Sequence, residues 1–87
     1  MHIDAAVGDG GRQRVERCVI DAIASFGADR NQVTAQASLA ALDTDELDIL
    51  ELFQIVDAQF GVRLHARDID DLVTVGDAIE LVVARLR

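Results

Sequence analysis

The chain contains no proline, tryptophan, tyrosine or lysine, a single cysteine, and only three aromatic residues, all phenylalanine. A lone Cys18 excludes an internal disulfide, disfavours a cysteine-based metal site, and points to a reducing cytoplasm. With so few aromatics the core must be built from Ala, Val, Ile and Leu, a mix that suits close helix packing more readily than a sandwich or barrel. No apolar run approaches the roughly 20 residues needed to span a bilayer. The opening Met1-His2-Ile3-Asp4 lacks the basic and apolar regions of a secretion signal. Internal repeats and low-complexity segments are also absent.

What is present fits one small domain. At 87 residues, 51% of them apolar, the chain is near the low end of what folds without disulfides or metal. Sixteen acids stand against eight arginines, for a net charge of −8. Such a chain repels phosphate backbones, so nucleic acid and anionic membranes are excluded as partners. A basic protein surface is the expected counterpart, and a monomer is expected.

Residues 1–11, ending Val7-Gly8-Asp9-Gly10-Gly11, have the glycine content of a flexible tail, which puts the domain at 12–87. Val15, Cys18, Val19, Ala22, Ile23 and Phe26 then recur at the spacing of one helix face, predicting a helix over 12–26 stopped by Gly27. Residues 28–42 are polar with anchors at Val33, Leu39 and Leu42. A loop of that length signals function or a short embedded turn.

A second helix is expected from Asp45, with Thr44 or Asp45 capping it and acids in its first turn matching the positive end of its dipole. Leu47, Leu50, Phe53, Val56 and Phe60, widened by Leu52 and Ile55, form its apolar stripe, and Gly61 ends it. A short third helix over 66–72 carries Ile69 and Leu72. Thr74 reads as the cap of a last helix, with Asp77 completing a capping box. Val75, Ala78, Ile79, Val82 and Leu86 face inward there, and Arg85 and Arg87 sit at the negative end.

Between Asp43 and Gly61 lie six acids (Asp43, Asp45, Glu46, Asp48, Glu51 and Asp57) and no base. A solvated helix face accounts for the acids, but not for the complete absence of arginine in a chain holding eight. Docking onto a basic partner is therefore favoured, with modest, salt-sensitive affinity because exposed pairs are screened over about 8–10 Å. Catalysis is not expected. Cys18 lies on an apolar stripe, and His2 and His65 lack a nucleophile or second histidine at useful spacing. Asp68, Asp70 and Asp71 lack the glycine and closing Glu of a calcium loop, so no metal is expected.

The run Asp45-Glu46-Leu47 opening an acidic helix, Phe60-Gly61 closing it, the long first loop from Val33-Thr34 to Ala37-Ser38-Leu39, and Thr74-Val75-Gly76-Asp77-Ala78 opening the last helix together resemble the acyl carrier protein family. The resemblance covers roughly residues 14–84. It implies an all-α, small four-helix bundle with a long loop after the first helix and a short third helix. It also implies a place in fatty-acid, polyketide or related thioester-template biosynthesis, and docking through Asp45, Asp48, Glu51 and Asp57 onto basic patches of synthase, transferase or ligase enzymes.

In that family a Ser between the Asp and the Leu is esterified by 4′-phosphopantetheine, the arm that holds the cargo. Here Glu46 occupies that position, so no cofactor is expected and docking alone remains. Glu46 is either a plain solvated first-turn residue or a constant negative charge resembling the modified Ser. Ser25 and Ser38 offer no substitute, since neither follows an Asp at the start of an acidic helix. A working carrier whose Ser was replaced at position 46, and a helical adaptor outside such pathways, are the alternatives. Without an arm to shelter, the cleft beside the second helix is expected to be closed or much reduced, with Phe53 turned inward.

Overall fold

A computed structural model describes residues 3–86, with side chains from residue 11 onward. Three α-helices, α1 (Ile3–Ser25), α2 (Glu46–Phe60) and α3 (Val75–Arg85), are joined by a 3-10 turn at Arg30–Gln32 and a 3-10 helix at Ala66–Asp71. The architecture is the all-helical bundle expected, with a long connection after α1 and a short third helix. That third helix ends at Asp71 and is wound as a 3-10 helix.

The largest departure lies at the N-terminus. Helix α1 begins at Ile3, so residues 3–11 are helical where a tail was expected. Each glycine costs about 1 kcal/mol against alanine in a helix, which biases the stretch toward coil without forbidding the helix. With no proline to remove a hydrogen bond, the α1 ladder extends across Gly8, Gly10 and Gly11. Met1, His2 and Arg87, and the readings placed on them, lie outside the described residues.

Both later helices are set by their caps. Asp45 accepts the Asp48 N–H at 2.9 Å, and Asp48 accepts the Asp45 N–H at 3.3 Å, which makes Asp45 rather than Thr44 the cap of α2. Gly61, in the left-handed region at φ 70°, closes that helix with its N–H on the Asp57 carbonyl. Thr74 accepts the Asp77 N–H at 3.1 Å, and the Asp77 carboxylate accepts N–H groups from both Thr74 and Val73. Those backbone donors hold the Asp77 carboxyl below its ordinary value.

Val15, Val19, Ala22 and Ile23 of α1 meet Ile49, Leu52, Phe53 and Val56 of α2 and Val75, Ala78, Ile79 and Val82 of α3 in one core. The stripe of α2 is rotated from the one expected. Ile49 is buried, whereas Leu47 is 75% exposed. Two residues apart on an α-helix is about 200° of rotation, so both cannot face the core. Cys18 is half-buried rather than fully buried, and burial, with Asp21 nearby, pushes its thiol upward.

The long loop is not free. Val33 and Leu39 anchor it in the core, as expected, while Leu42 is half-buried against that core. Its backbone then pairs with the start of α3: Leu39 N–H to the Val73 carbonyl at 2.9 Å, Val75 N–H to Ala37 at 3.0 Å, and Gly76 N–H to Ala35 at 2.8 Å. A Cβ at position 76 would lie 2.9 Å from the Ala35 oxygen, so this approach requires glycine.

Candidate functional site

The start of α2 is the candidate site. Asp45 is committed to the cap through its side chain, and Asp48 reciprocates. Glu46 is the first helical residue, exposed, and without an ion-pair or hydrogen-bond partner among the described residues. Its carboxylate stands where the unsatisfied N–H groups of the first turn make the potential most positive.

The four acids singled out for docking do not form one ridge. Rotation of about 100° per residue puts Leu47, Gln54 and Ala58 on the outermost stripe, with acids on the two shoulders. Asp48 and Glu51 share the shoulder of Ile55, which faces α1. Asp57 lies on the other shoulder, above a groove lined with Arg63 and Leu64, and Arg63 approaches it to 4.0 Å. Glu46 is on that second side too, at the rim of a groove of about 240 Å³ shared with Ile49, Ile69, Leu72 and Val73. The site is thus an exposed leucine between two acidic flanks. Asp43, just before it, holds φ 58°, a conformation Asp tolerates through its short polar side chain.

Phe53 is turned inward, in the core, as expected. Between α2 and the 3-10 helix lies the open groove at Glu46, floored by Ile49, Ile69 and Leu72. Val73 stands 63% exposed at its edge. Leu47 and Val73 are the exposed large apolar side chains among the described residues, and both escaped the sequence reading, which assigned Leu47 to the core and gave Val73 no role.

A second omission is the pair that fixes the far wall of that groove. Asp68 is buried, 7% exposed, and its carboxylate accepts the His65 N–H at 2.9 Å and Arg85 nitrogens at 3.1 and 3.4 Å. The Arg85 guanidinium, with the His65 N–H behind it, holds the Asp68 carboxyl below its usual range despite the cost of burial. Position 68, three residues after His65, was the available signal of a cap. Arg85 serves this ion pair as well as the negative end of α3. Asp70 and Asp71 remain exposed, and among the described residues no three His, Cys, Asp or Glu side chains are gathered for a metal ion. No helix among them is long and apolar enough to cross a membrane.

A small helical bundle with a clamped first loop and an acid-capped second helix presenting its first turn to solvent is the build of a carrier domain. An acyl carrier protein of Thermotoga maritima is 34% identical over 62 residues, covering 70% of this chain and 76% of that protein. The chain belongs to the acyl carrier protein family. No protein-family model matches it. Membership places it with the carrier-type proteins of acyl biosynthesis, which are not themselves enzymes.

Proposed function

We propose that the chain takes no phosphopantetheine arm and acts by docking, through the start of α2, onto basic patches of enzymes of fatty-acid, polyketide or related thioester-template biosynthesis. The observation that carries this reading is Glu46, exposed and unpartnered at the first position of α2. A carboxylate cannot replace an alcohol as the nucleophile that forms the phosphodiester. The nearby hydroxyls do not fit the arm either. Ser38 is half-buried in the loop and its oxygen accepts the Ala41 N–H, and Thr44 precedes the cap.

Glu46 contributes to the helix dipole by about 0.3–1 kcal/mol. It also places a fixed negative charge beside exposed Leu47, where a modified Ser would carry one. Together with Asp48, Glu51 and Asp57 it offers a partner an apolar contact ringed by carboxylates, the complement of a leucine pocket edged with arginine or lysine. The docking enzymes are thus of the synthase, transferase or ligase type that handles acyl groups.

Intact mass tests the first half. Incubation with coenzyme A and a phosphopantetheinyl transferase of broad specificity is expected to leave the mass unchanged, and an added arm would refute it. Charge reversal at Asp48 or Glu51 tests the second half. Either change is expected to weaken a natural partner far more than deletion of residues 1–10, and added salt is expected to mimic it.

A further inference from the structure

A second groove lies on the opposite side of the molecule from Glu46, between α1 and α2, with a volume of about 400 Å³. On the α1 side it is lined by Arg14, Arg17, Cys18, Asp21, Ala22 and Ser25. Those positions step by three, one, three, one and three, a single helical stripe that runs about 16 Å at 1.5 Å per residue. Ile55, Gln59 and Phe60 close it from α2. The groove is therefore a trough three turns long with an apolar floor of Ala22, Ile55 and Phe60 beside the half-buried Cys18.

Its lining carries two arginines and one acid, Asp21, which pairs with Arg30. Arg12 pairs with Glu16 and Glu80, Arg30 with Asp21, Arg63 with Asp57, and Arg85 with Asp68. Arg14, Arg17 and Arg67 have no ion-pair partner among the described residues, and of these Arg14 and Arg17 line the trough. Arg14 and Arg17 stand one turn apart, where like charges repel, in a chain of net charge −8. Phe26 and Gly27, just after α1, share a wall with Leu42 and Asp43, just ahead of α2, so the two helices run antiparallel. Arg14 and Arg17 consequently sit toward Phe60, away from the acidic first turn of α2.

We propose that this trough binds an amphipathic helix of a partner protein, its apolar residues in the floor and its carboxylates over Arg14 and Arg17. The length matches a helix that anchors through i, i+3 or i+4, and i+7, and the charge selects acids at one end of it. An anionic membrane is the poorer occupant, since two cations do not offset the repulsion from the remaining surface. Two docking faces of opposite sign would let the chain hold a basic enzyme surface at α2 and an acidic helix at α1 together. This inference goes beyond docking at α2 and stands or falls separately from it, because none of the α2 acids contributes to the trough.

The test uses the full chain and a fluorescein-labelled synthetic helix with Leu at i, i+3 and i+7 and Glu over one terminal turn. Saturable binding, weakened at least about tenfold in the double variant Arg14→Glu/Arg17→Glu, is expected. Amide shifts are expected along residues 14–25 and 55–60, and Asp70→Lys, at an exposed position outside both docking faces, is expected to leave the affinity unchanged. Circular dichroism establishes that the double variant is folded, and Gln59→Trp, which fills the trough while keeping both arginines, is expected to abolish binding as well. No saturable binding, shifts confined to residues 43–51, or equal affinity in the double variant would overturn the proposal. So would arginine-dependent binding to vesicles of phosphatidylcholine and phosphatidylglycerol in place of the helix.

Discussion

Replacing Asp68 with Asn keeps the shape of the side chain and removes its charge, which isolates what the buried carboxylate does. Wild-type Asp68 caps the short 3-10 helix through the His65 N–H and ties it to the end of α3 through Arg85. Asn keeps an oxygen that accepts the His65 N–H and caps about as well as Asp, so the cap is retained. Arg85 is 42% exposed, so its pair is partly screened and is worth about 0.2–1 kcal/mol, and the amide left facing a guanidinium adds a further penalty of about the same size. The total is about 1 kcal/mol, a sizeable share of the roughly 5–15 kcal/mol that holds a domain folded. For a domain of this size it lowers Tm by roughly 4–8 °C.

The pH dependence carries the sign. Because the folded-state carboxyl titrates below its ordinary value of 3.8, its stabilisation is fully present above that value and is lost as pH falls through the folded value. In urea titrations, the gap between wild type and Asp68→Asn is expected to be constant from pH 7 to about pH 5 and to close in stronger acid. A gap of equal size in strong acid would show that volume or packing, not charge, is at work. No gap at pH 7 would refute the ion pair itself.

Glu46→Ser recreates an alcohol between Asp45 and Leu47, so at least partial phosphopantetheinylation is expected by intact mass; a variant that stays inert would place the loss in more than one residue. Gly76→Val drives a side chain into the Ala35 carbonyl, 2.9 Å from where its Cβ would sit, and is expected to cost about 1–3 kcal/mol in urea unfolding. Thr74→Ala removes the cap of α3 and is expected to cost about 1 kcal/mol by the same measurement. The Cys18 thiol, raised by burial, is expected to react with iodoacetamide more slowly than a free cysteine at pH 7.5, and to approach it in denaturant.

The caps were the most legible part of the sequence. Thr74 with Asp77, Asp45 with acids behind it, and Gly61 after Phe60 are local signals, each satisfied within four residues. The anchors Val33 and Leu39 were readable for a similar reason, standing alone as apolar residues in polar surroundings. Boundaries that depend on cooperativity were not. Three glycines read as coil, yet α1 continues back to Ile3, because propensity is a weak term beside the continuity of a helix.

Leu47 was misread because a broad apolar stripe leaves the rotation of α2 open, and packing of Ile49 against its neighbours settles it. Asp68 and Arg85 are 17 residues apart, and nothing at that separation marks two charges as partners. At the candidate site the acids themselves were plain in the sequence. Their division onto two shoulders depends on which side of α2 meets α1, a tertiary fact.

The pairing of residues 35–39 with residues 73–76 sets an order of events. The loop that leads into α2 closes its own turns locally, through Ala37, Leu42, Asp43 and Thr44, but its cross-chain hydrogen bonds lie in a stretch made more than thirty residues later. While the chain is being synthesised, α1, α2 and those local turns can form, yet their placement waits for Val73 and Gly76. Closing a span of that length is the entropically costly step. The surface around Glu46 therefore gains its long-range support only once residues 73–76 are in place.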